Sequence, residues 1–292
     1  VCSASAEIHF LFFPLSGEAP EQQAQVPDSM NNIFVFDIET VPDIEGGQRI
    51  HGLEGLNDKD TANAMFNLRR QETGGSDFLR HHLQRVVCIS AVLRTRDGLK
   101  VWSLGDESSD EKELIQRFFS GIERYMPTLV SWNGGGFDLP VLNYRALRHG
   151  ISAPRYWDLG EDDREFKFNN YIGRYHLRHT DLMDILSLYQ PRASQPLDQI
   201  ASLLGFPGKM GMSGAKVWDA YQDGDIAGIR NYCETDVLNT WLVYLRFQLM
   251  RGQLDAGQYE AELELTRALL EKEAKPHFLE FLDAWKKNSL PR

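Results

Sequence analysis

Ile33-Phe34-Val35-Phe36-Asp37-Ile38-Glu39-Thr40 is the stretch on which the rest of the chain is organised. Four apolar residues, all β-branched or aromatic, run into an acid. That pattern predicts a strand buried on both faces that ends at a polar edge. Side chains alternate along a strand, so Asp37 and Glu39 share one face, about 6.6 Å apart along the backbone. Two carboxylates so placed repel unless a cation lies between them, and hard oxygen ligands suit Mg²⁺ or Mn²⁺. The alternative is a strand end carrying two solvated acids, and Asp-x-Glu alone does not decide between them.

Working outward, 292 residues suffice for one large domain or two small ones, and 42% hydrophobic with 25% charged residues is the composition of a globular protein. No apolar run approaches the length of a membrane span. Ile8 to Leu15 is short, interrupted by His9 and Pro14, and lacks the basic flank of a signal peptide. Residues 1–29 are expected to be an extension, with Pro/Gln/Ala-rich Glu18 to Ser29 disordered. Three widely spaced cysteines, Cys2, Cys88 and Cys233, suggest neither a disulfide framework nor a zinc site and fit a reducing cytoplasm. A net charge of −11 argues against broad non-specific binding to a nucleic-acid backbone, though not against an enzyme that holds a few nucleotides.

Past Thr40, Val41-Pro42-Asp43 is expected to turn. Residues 48–85 form an insertion without a clear strand, helical near Ala62 to Arg70 and broken by Gly74-Gly75. Its Arg69, Arg70, Arg80, His81, His82 and Arg85 belong either to a solvated loop or to a flap over substrate phosphates. Strands are expected at Val86 to Leu93, Leu99 to Leu104 and Thr128 to Trp132, with an amphipathic helix over Asp110 to Tyr125. The order predicts a mixed α/β sheet.

Ser131-Trp132-Asn133-Gly134-Gly135-Gly136-Phe137-Asp138-Leu139-Pro140 reads as a strand end, a tight glycine turn and a helix start. Asp138 can simply cap that helix. Arg155 to His179 interleaves aromatics with cations, including Arg174 and Arg178. The stretch suits base stacking with phosphate contact, or a strand pair with its aromatics in the core. Asp181 caps a further helix. Asp225 starts a long one through Leu245, on which Tyr232 and Asp236, four apart, share a face. Tyr232 can equally be a core aromatic and Asp236 a solvated acid.

Taken in order, Phe36-Asp37-Ile38-Glu39-Thr40, Trp132 to Pro140 and Tyr232-Cys233-Glu234-Thr235-Asp236 resemble the three motifs of the tyrosine branch of the DEDD 3′–5′ exonucleases. The resemblance is closest to bacterial predicted 3′–5′ exonucleases related to the exonuclease domain of family-B DNA polymerases. It covers about Asn31 to Phe247. It implies a ribonuclease-H-like fold, a central mixed sheet flanked by helices. It also implies two divalent cations, Mg²⁺ or Mn²⁺, held by Asp37, Glu39, Asp138 and Asp236. Asp37 would bridge the ions, Glu39 and Asp236 would complete one, and Asp138 would serve the other. Tyr232 would orient the attacking water. Thr40, Asn133 and Phe137 are candidates for the terminal-nucleotide pocket, and Arg174 and Arg178 for strand contact.

The expected substrate is the 3′ end of single-stranded DNA, with RNA ends or a catalytically inactive end-binding module as rivals. No membrane partner is expected, and protein partners are not specified. Residues 30–251 are expected to form the nuclease domain, and 252–292 a helical extension that covers it or offers a partner surface.

Overall fold

The computed structural model describes Met30 and residues 32–289. The expected extension 1–29 lies outside the described residues. Five strands build one sheet: β1 (Ile33–Pro42), β2 (Gln84–Thr95), β3 (Gly98–Ser103), β4 (Thr128–Ser131) and β5 (His179–Asp181), in the order β3-β2-β1-β4-β5. β1 pairs antiparallel with β2 and β2 with β3, while β4 and β5 run parallel to β1. This is the expected central mixed sheet flanked by helices.

The period of two in β1 sorts its side chains between two cores. Phe34, Phe36 and Ile38 enter one core with Leu114, Ile115, Phe118 and Phe119 of α3. Ile33 and Val35 enter the other, beneath the long helix that carries Val237, Leu238, Trp241 and Leu242. Asp37 and Glu39 continue the second set, so their face of the sheet is the one that the long helix covers.

The helices, in chain order, are α1 (Ile44–His51), α2 (Asp58–Thr73), α3 (Glu111–Tyr125), α4 (Asp138–His149), α5 (Pro154–Trp157), α6 (Leu182–Leu186), α7 (Leu197–Leu203), α8 (Val217–Gln222), α9 (Ile226–Met250), α10 (Ala256–Glu273) and α11 (Pro276–Asn288). Side-chain caps fix several starts: Asp110 for α3, Asp225 for α9 and Asp255, in a capping box, for α10. α10 and α11 supply Leu263, Leu270, Phe278, Phe281 and Trp285 to the same core as α9.

Three local expectations are corrected. The chain does not turn at Val41-Pro42: β1 continues through Pro42, paired with Gln84, and Asp43 caps α1. The sequence hides α1 because Gly46 and Gly47 are poor helix formers. Gly47 lets α1 and α2 approach closely, since a Cβ on it would stand 2.2 Å from Met65 Sδ of α2 and displace that side chain. Second, the 48–85 insertion is not a solvated loop. α2 spans sixteen residues and packs against α1, with Met65, Leu79 and Leu83 in a small core of their own. Third, Arg155 to His179 is not a strand pair. It folds as α5, a 3₁₀ turn at Arg164–Lys167 and irregular chain, and only His179 reaches β5.

Candidate active site

β4 ends its pairing with β1 at Val35↔Val130, so the second half of β1 has no strand neighbour on that side. A crevice opens at the carboxyl ends of the parallel strands, the usual position for a ligand site in such sheets. The buried amide of Ile38, in the half of β1 that β4 does not pair, donates to Asp138 Oδ1 at 3.2 Å. Asp138 is therefore tied to β1, between Asp37 and Glu39 in sequence. Phe137, not Asp138, occupies the capping position of α4 and makes no side-chain cap, so the capping role is corrected.

The loop before Asp138 is held by a residue whose sequence signal is only that of a helix cap. Asp181 caps α6 through the amides of Met183 and Asp184, and its two oxygens also accept from Asn133 N (2.9 Å) and Gly135 N (2.8 Å). The glycines in this loop do not serve a left-handed turn: Asn133 takes the positive φ of 65°. They serve close approach, because a Cβ on Gly134 would stand 2.2 Å from Ser131 Oγ and one on Gly136 2.4 Å from Asn133 Oδ1.

From the opposite wall, α9 brings Tyr232 and Asp236, with the phenol against the Asp236 carboxylate. Asn239, one turn further on, holds Gly208 by both its amide and its carbonyl, which fixes the loop that presents Lys209. Asp37 and Glu39 of β1 thus lie within electrostatic reach of Asp138 of α4 and Asp236 of α9, and Tyr232 within reach of Asp37, Glu39 and Asp236. Glu39 and Asp138 are only 8% and 4% exposed.

Burial sets the electrostatics. It is the first cause that raises the Asp37 carboxyl well above the ordinary range, followed by the charges of Asp138 and Asp236. Glu39 is raised in the same way by burial, Asp37 and Asp236. Burial pushes Asp138 up to about 7, with Asp181 adding to the effect. It pushes Asp236 up to about 6 against the lowering contact from Tyr232. Burial, then Asp236 and Glu39, raise the Tyr232 phenol far above its ordinary value. The buried ion pairs of the described residues lie elsewhere, at Arg145 with Asp43 and Glu111 and at Arg94 with Glu262. Two buried and two half-buried carboxylates, relieved only at Asp236 by the charge of Lys209, have the oxygen-donor chemistry of a site for hard divalent ions such as Mg²⁺ or Mn²⁺.

The remaining candidates divide. Thr40 Oγ1 donates to Gln84 Oε1 at 2.9 Å, across the β1–β2 pair. Phe137 stands against two rings of the insertion, Phe78 at 5.4 Å and His81 at 5.7 Å, and His81 Nε2 bonds Gly136 O. Phe78 is more than half exposed, so an aromatic ledge borders the crevice; scattered basic residues were the only hint of it in the sequence. Arg174 pairs with Asp184, lies over Tyr189, and lines a cleft of about 450 Å³ with Gly135, Gly136 and Asp181. Arg178 lies 4.1 Å over the buried Phe166 ring and donates to Asn169 O, so its guanidinium is engaged by the fold. His179, half-buried and bonded to Ser131 Oγ, is pushed down to about 4 by desolvation. No helix of the described residues is long and apolar enough to cross a membrane.

Comparison with known proteins gives the site its context. The chain is 28% identical over 144 residues, 47% of its length, to the catalytic chain of DNA polymerase epsilon from Dictyostelium discoideum, and it spans only 6% of that protein. It is similar to the family B DNA polymerase of the hyperthermophilic archaeon Pyrobaculum calidifontis, with 18% identity and a TM-score of 0.44 over 75% of this chain and 24% of that one. A family match begins after Asp37 and Glu39 and continues into the C-terminal helices that the motif resemblance left out. Its span is residues 76–285, its description is "predicted 3′-5′ exonuclease related to the exonuclease domain of PolB", and the chain belongs to that family.

Proposed function

We propose that the protein is a metal-dependent 3′–5′ exonuclease that removes nucleotides from the 3′ end of single-stranded DNA. The observation that carries this reading is the convergence of four carboxylates from three distant segments, with Asp138 tied to β1 through Ile38 and no buried cation paired with the set among the described residues. Membership of an exonuclease family supports the reaction class. The DNA polymerase that the chain resembles favours DNA over RNA.

Asp37, Glu39, Asp138 and Asp236 would hold two Mg²⁺ or Mn²⁺ ions. Bound there, the ions would supply water activation and neutralise charge on the leaving 3′ oxygen. Tyr232, kept neutral by its surroundings, orients the attacking water through its hydroxyl and does not itself ionise. Asn133 and the Phe137 ledge shape the pocket for the terminal nucleotide, Thr40 borders it, and Arg174 contacts the strand from the neighbouring cleft. Residues 30–251 would carry this activity, with α10 and α11 of the 252–292 region bracing α9, whose core they share. The two buried free cysteines, Cys88 and Cys233, accord with a reducing cytoplasm.

The test uses 5′-labelled single-stranded DNA and RNA with Mg²⁺, Mn²⁺ or EDTA. Ladders that shorten from the 3′ end on DNA, only with metal, are expected. Preferential shortening of RNA would move the substrate to RNA. No shortening of either, with binding retained, would replace the enzyme by an end-binding module.

A further inference from the structure

Beside the two acids of β1 stands a donor of a different kind. Cys233 of α9 is fully buried, with Sγ 3.5 Å from the Asp37 carbonyl and 3.6 Å from Asp37 Oδ2. Donor atoms of Asp37, Glu39 and Cys233 all lie within 4.8 Å of one another. Glu39, more than nine-tenths buried, makes no side-chain hydrogen bond among the described residues, so its oxygens remain available to a ligand.

Tetrahedral bonds of about 2.0–2.3 Å place neighbouring donor atoms roughly 3.3–3.8 Å apart. The Asp37–Cys233 pair already has that spacing. Glu39, whose donor atom lies within 4.8 Å of the other two, supplies the third ligand and leaves a fourth position for water.

We infer that Asp37, Glu39 and Cys233 form a site for a thiophilic divalent cation, Zn²⁺ or Cd²⁺, which excludes the hard ion from the β1 acids. The inference shares Asp37 and Glu39 with the proposed catalytic centre and rests on that reading only for its consequence, inhibition. Mg²⁺ selects oxygen donors, so with Mg²⁺ bound Cys233 stays a thiol that donates to Asp37. With Zn²⁺ or Cd²⁺ a sulfur–metal bond forms and the thiol proton is released to solvent. Zn²⁺ also lies above Mn²⁺ in intrinsic affinity for mixed sites. One side chain thus acts as a spectator for one class of metal and as a ligand for the other.

The test is spectroscopic. The full chain, carrying Cys2→Ser to silence the remaining thiol, is stripped with EDTA and titrated with Cd²⁺. An ultraviolet thiolate-to-cadmium charge-transfer band that saturates at one equivalent is expected. Cys233→Ser should abolish it and Cys88→Ser should keep it, with circular dichroism reporting the fold of each variant. Zn²⁺ should inhibit the Mg²⁺-loaded enzyme, and Cys233→Ser should raise the inhibiting concentration by something on the order of 10–100-fold.

A measurement on the chain with Cys233 intact does not depend on that variant folding. Co²⁺ should give a thiolate-to-cobalt band, and purely oxygen-ligated spectra would overturn the inference. So would a cadmium band that survives in folded Cys233→Ser or disappears in Cys88→Ser. A chain that binds Mn²⁺ yet shows no cadmium band sinks this inference alone. A chain that shows the band but binds no Mn²⁺ sinks the proposed catalytic metals and leaves this site standing.

Discussion

The backbone amide of Ile38 donates to the carboxylate of Asp138, 100 residues away in the chain. It is the direct link between the strand that carries two of the acids and the helix that carries a third. Asp138 therefore has two properties that substitution can separate, its charge and its acceptor. Asp138→Asn keeps an acceptor for Ile38 and removes a charge that burial disfavours. Exonuclease activity should fall to near zero while metal-free stability stays level or rises. Asp138→Ala leaves the amide without a partner and should cost about 1–3 kcal/mol. Thermal melting in EDTA alongside a cleavage assay checks both; strong destabilisation of the Asn variant would count against the link.

Stability of the metal-free protein should fall as pH rises. Burial holds Asp138 at about 7 and Asp236 at about 6, both above the value of about 4 in an unfolded chain. The folded state thus keeps protons that the unfolded chain has released. The stabilisation from these groups is fully present below about pH 4 and is lost as pH passes through 6 and 7. Melting in EDTA should occur at lower temperature at pH 8 than at pH 5.5. Excess Mn²⁺ should oppose that fall, because deprotonated ligands bind metal more tightly. A metal-free melting temperature that climbs over this interval would contradict the assigned shifts.

Tyr232→Phe should slow cleavage by something on the order of 10²-fold with metal affinity unchanged, since only a positioned hydroxyl is lost. Asp236→Asn should be nearly inactive. Desolvation pushes His179 down to about 4, so an inflection of the metal-free protein near pH 6–7 should follow Asp138 and Asp236 and persist in His179→Gln. Single-turnover rates paired with Mn²⁺ calorimetry decide this. Wild-type speed in Tyr232→Phe would return the ring to a packing role.

Asp181 holds the Asn133–Gly135 loop with two hydrogen bonds and caps α6 with two more. Asp181→Ala should therefore lower stability by about 1–3 kcal/mol and also depress turnover, because Asp138 follows the loop directly. Asp181→Asn, with one acceptor oxygen, should fall between. Chemical denaturation and kcat measured on the same preparations test the pairing. Loss of stability without loss of turnover would make Asp181 a cap and nothing more.

The two arginines of the aromatic-basic stretch should part company. Arg174→Ala should weaken single-strand binding and reduce its salt slope by about 0.7 per lost phosphate contact. Arg178→Ala should instead lower stability, since its guanidinium covers Phe166. Equal effects of the two on binding would mean that both meet the strand.

The difference between these arginines marks the limit of what the sequence conveys. β1, α4 and α9 are legible because alternation, a helix start and i,i+4 spacing are local signals. The shared face of Asp37 and Glu39, and that of Tyr232 and Asp236, follow from them. In Arg155 to His179 the same residue types do opposite things: Tyr156, Phe166 and Tyr171 are buried, while Phe168 and Tyr175 are exposed. No period separates them, because irregular chain has none. Asp138 reads as a cap because its true partner is 100 residues away. The glycines read as turn formers because steric crowding by Ser131 and Asn133 is visible only in three dimensions. Cys233 adjoins Asp37 only once α9 has crossed β1.

The wide sequence separation of the acids has an effect on when the protein can act. Positions 37, 138 and 236 come together across sequence separations of about a hundred residues each, contacts whose loop-closure cost slows folding. A nascent or nicked polypeptide that ends before α9 has neither Tyr232 nor Asp236. On the proposed reading, the site is therefore complete only in a chain whose α9 has been made and has docked on β1.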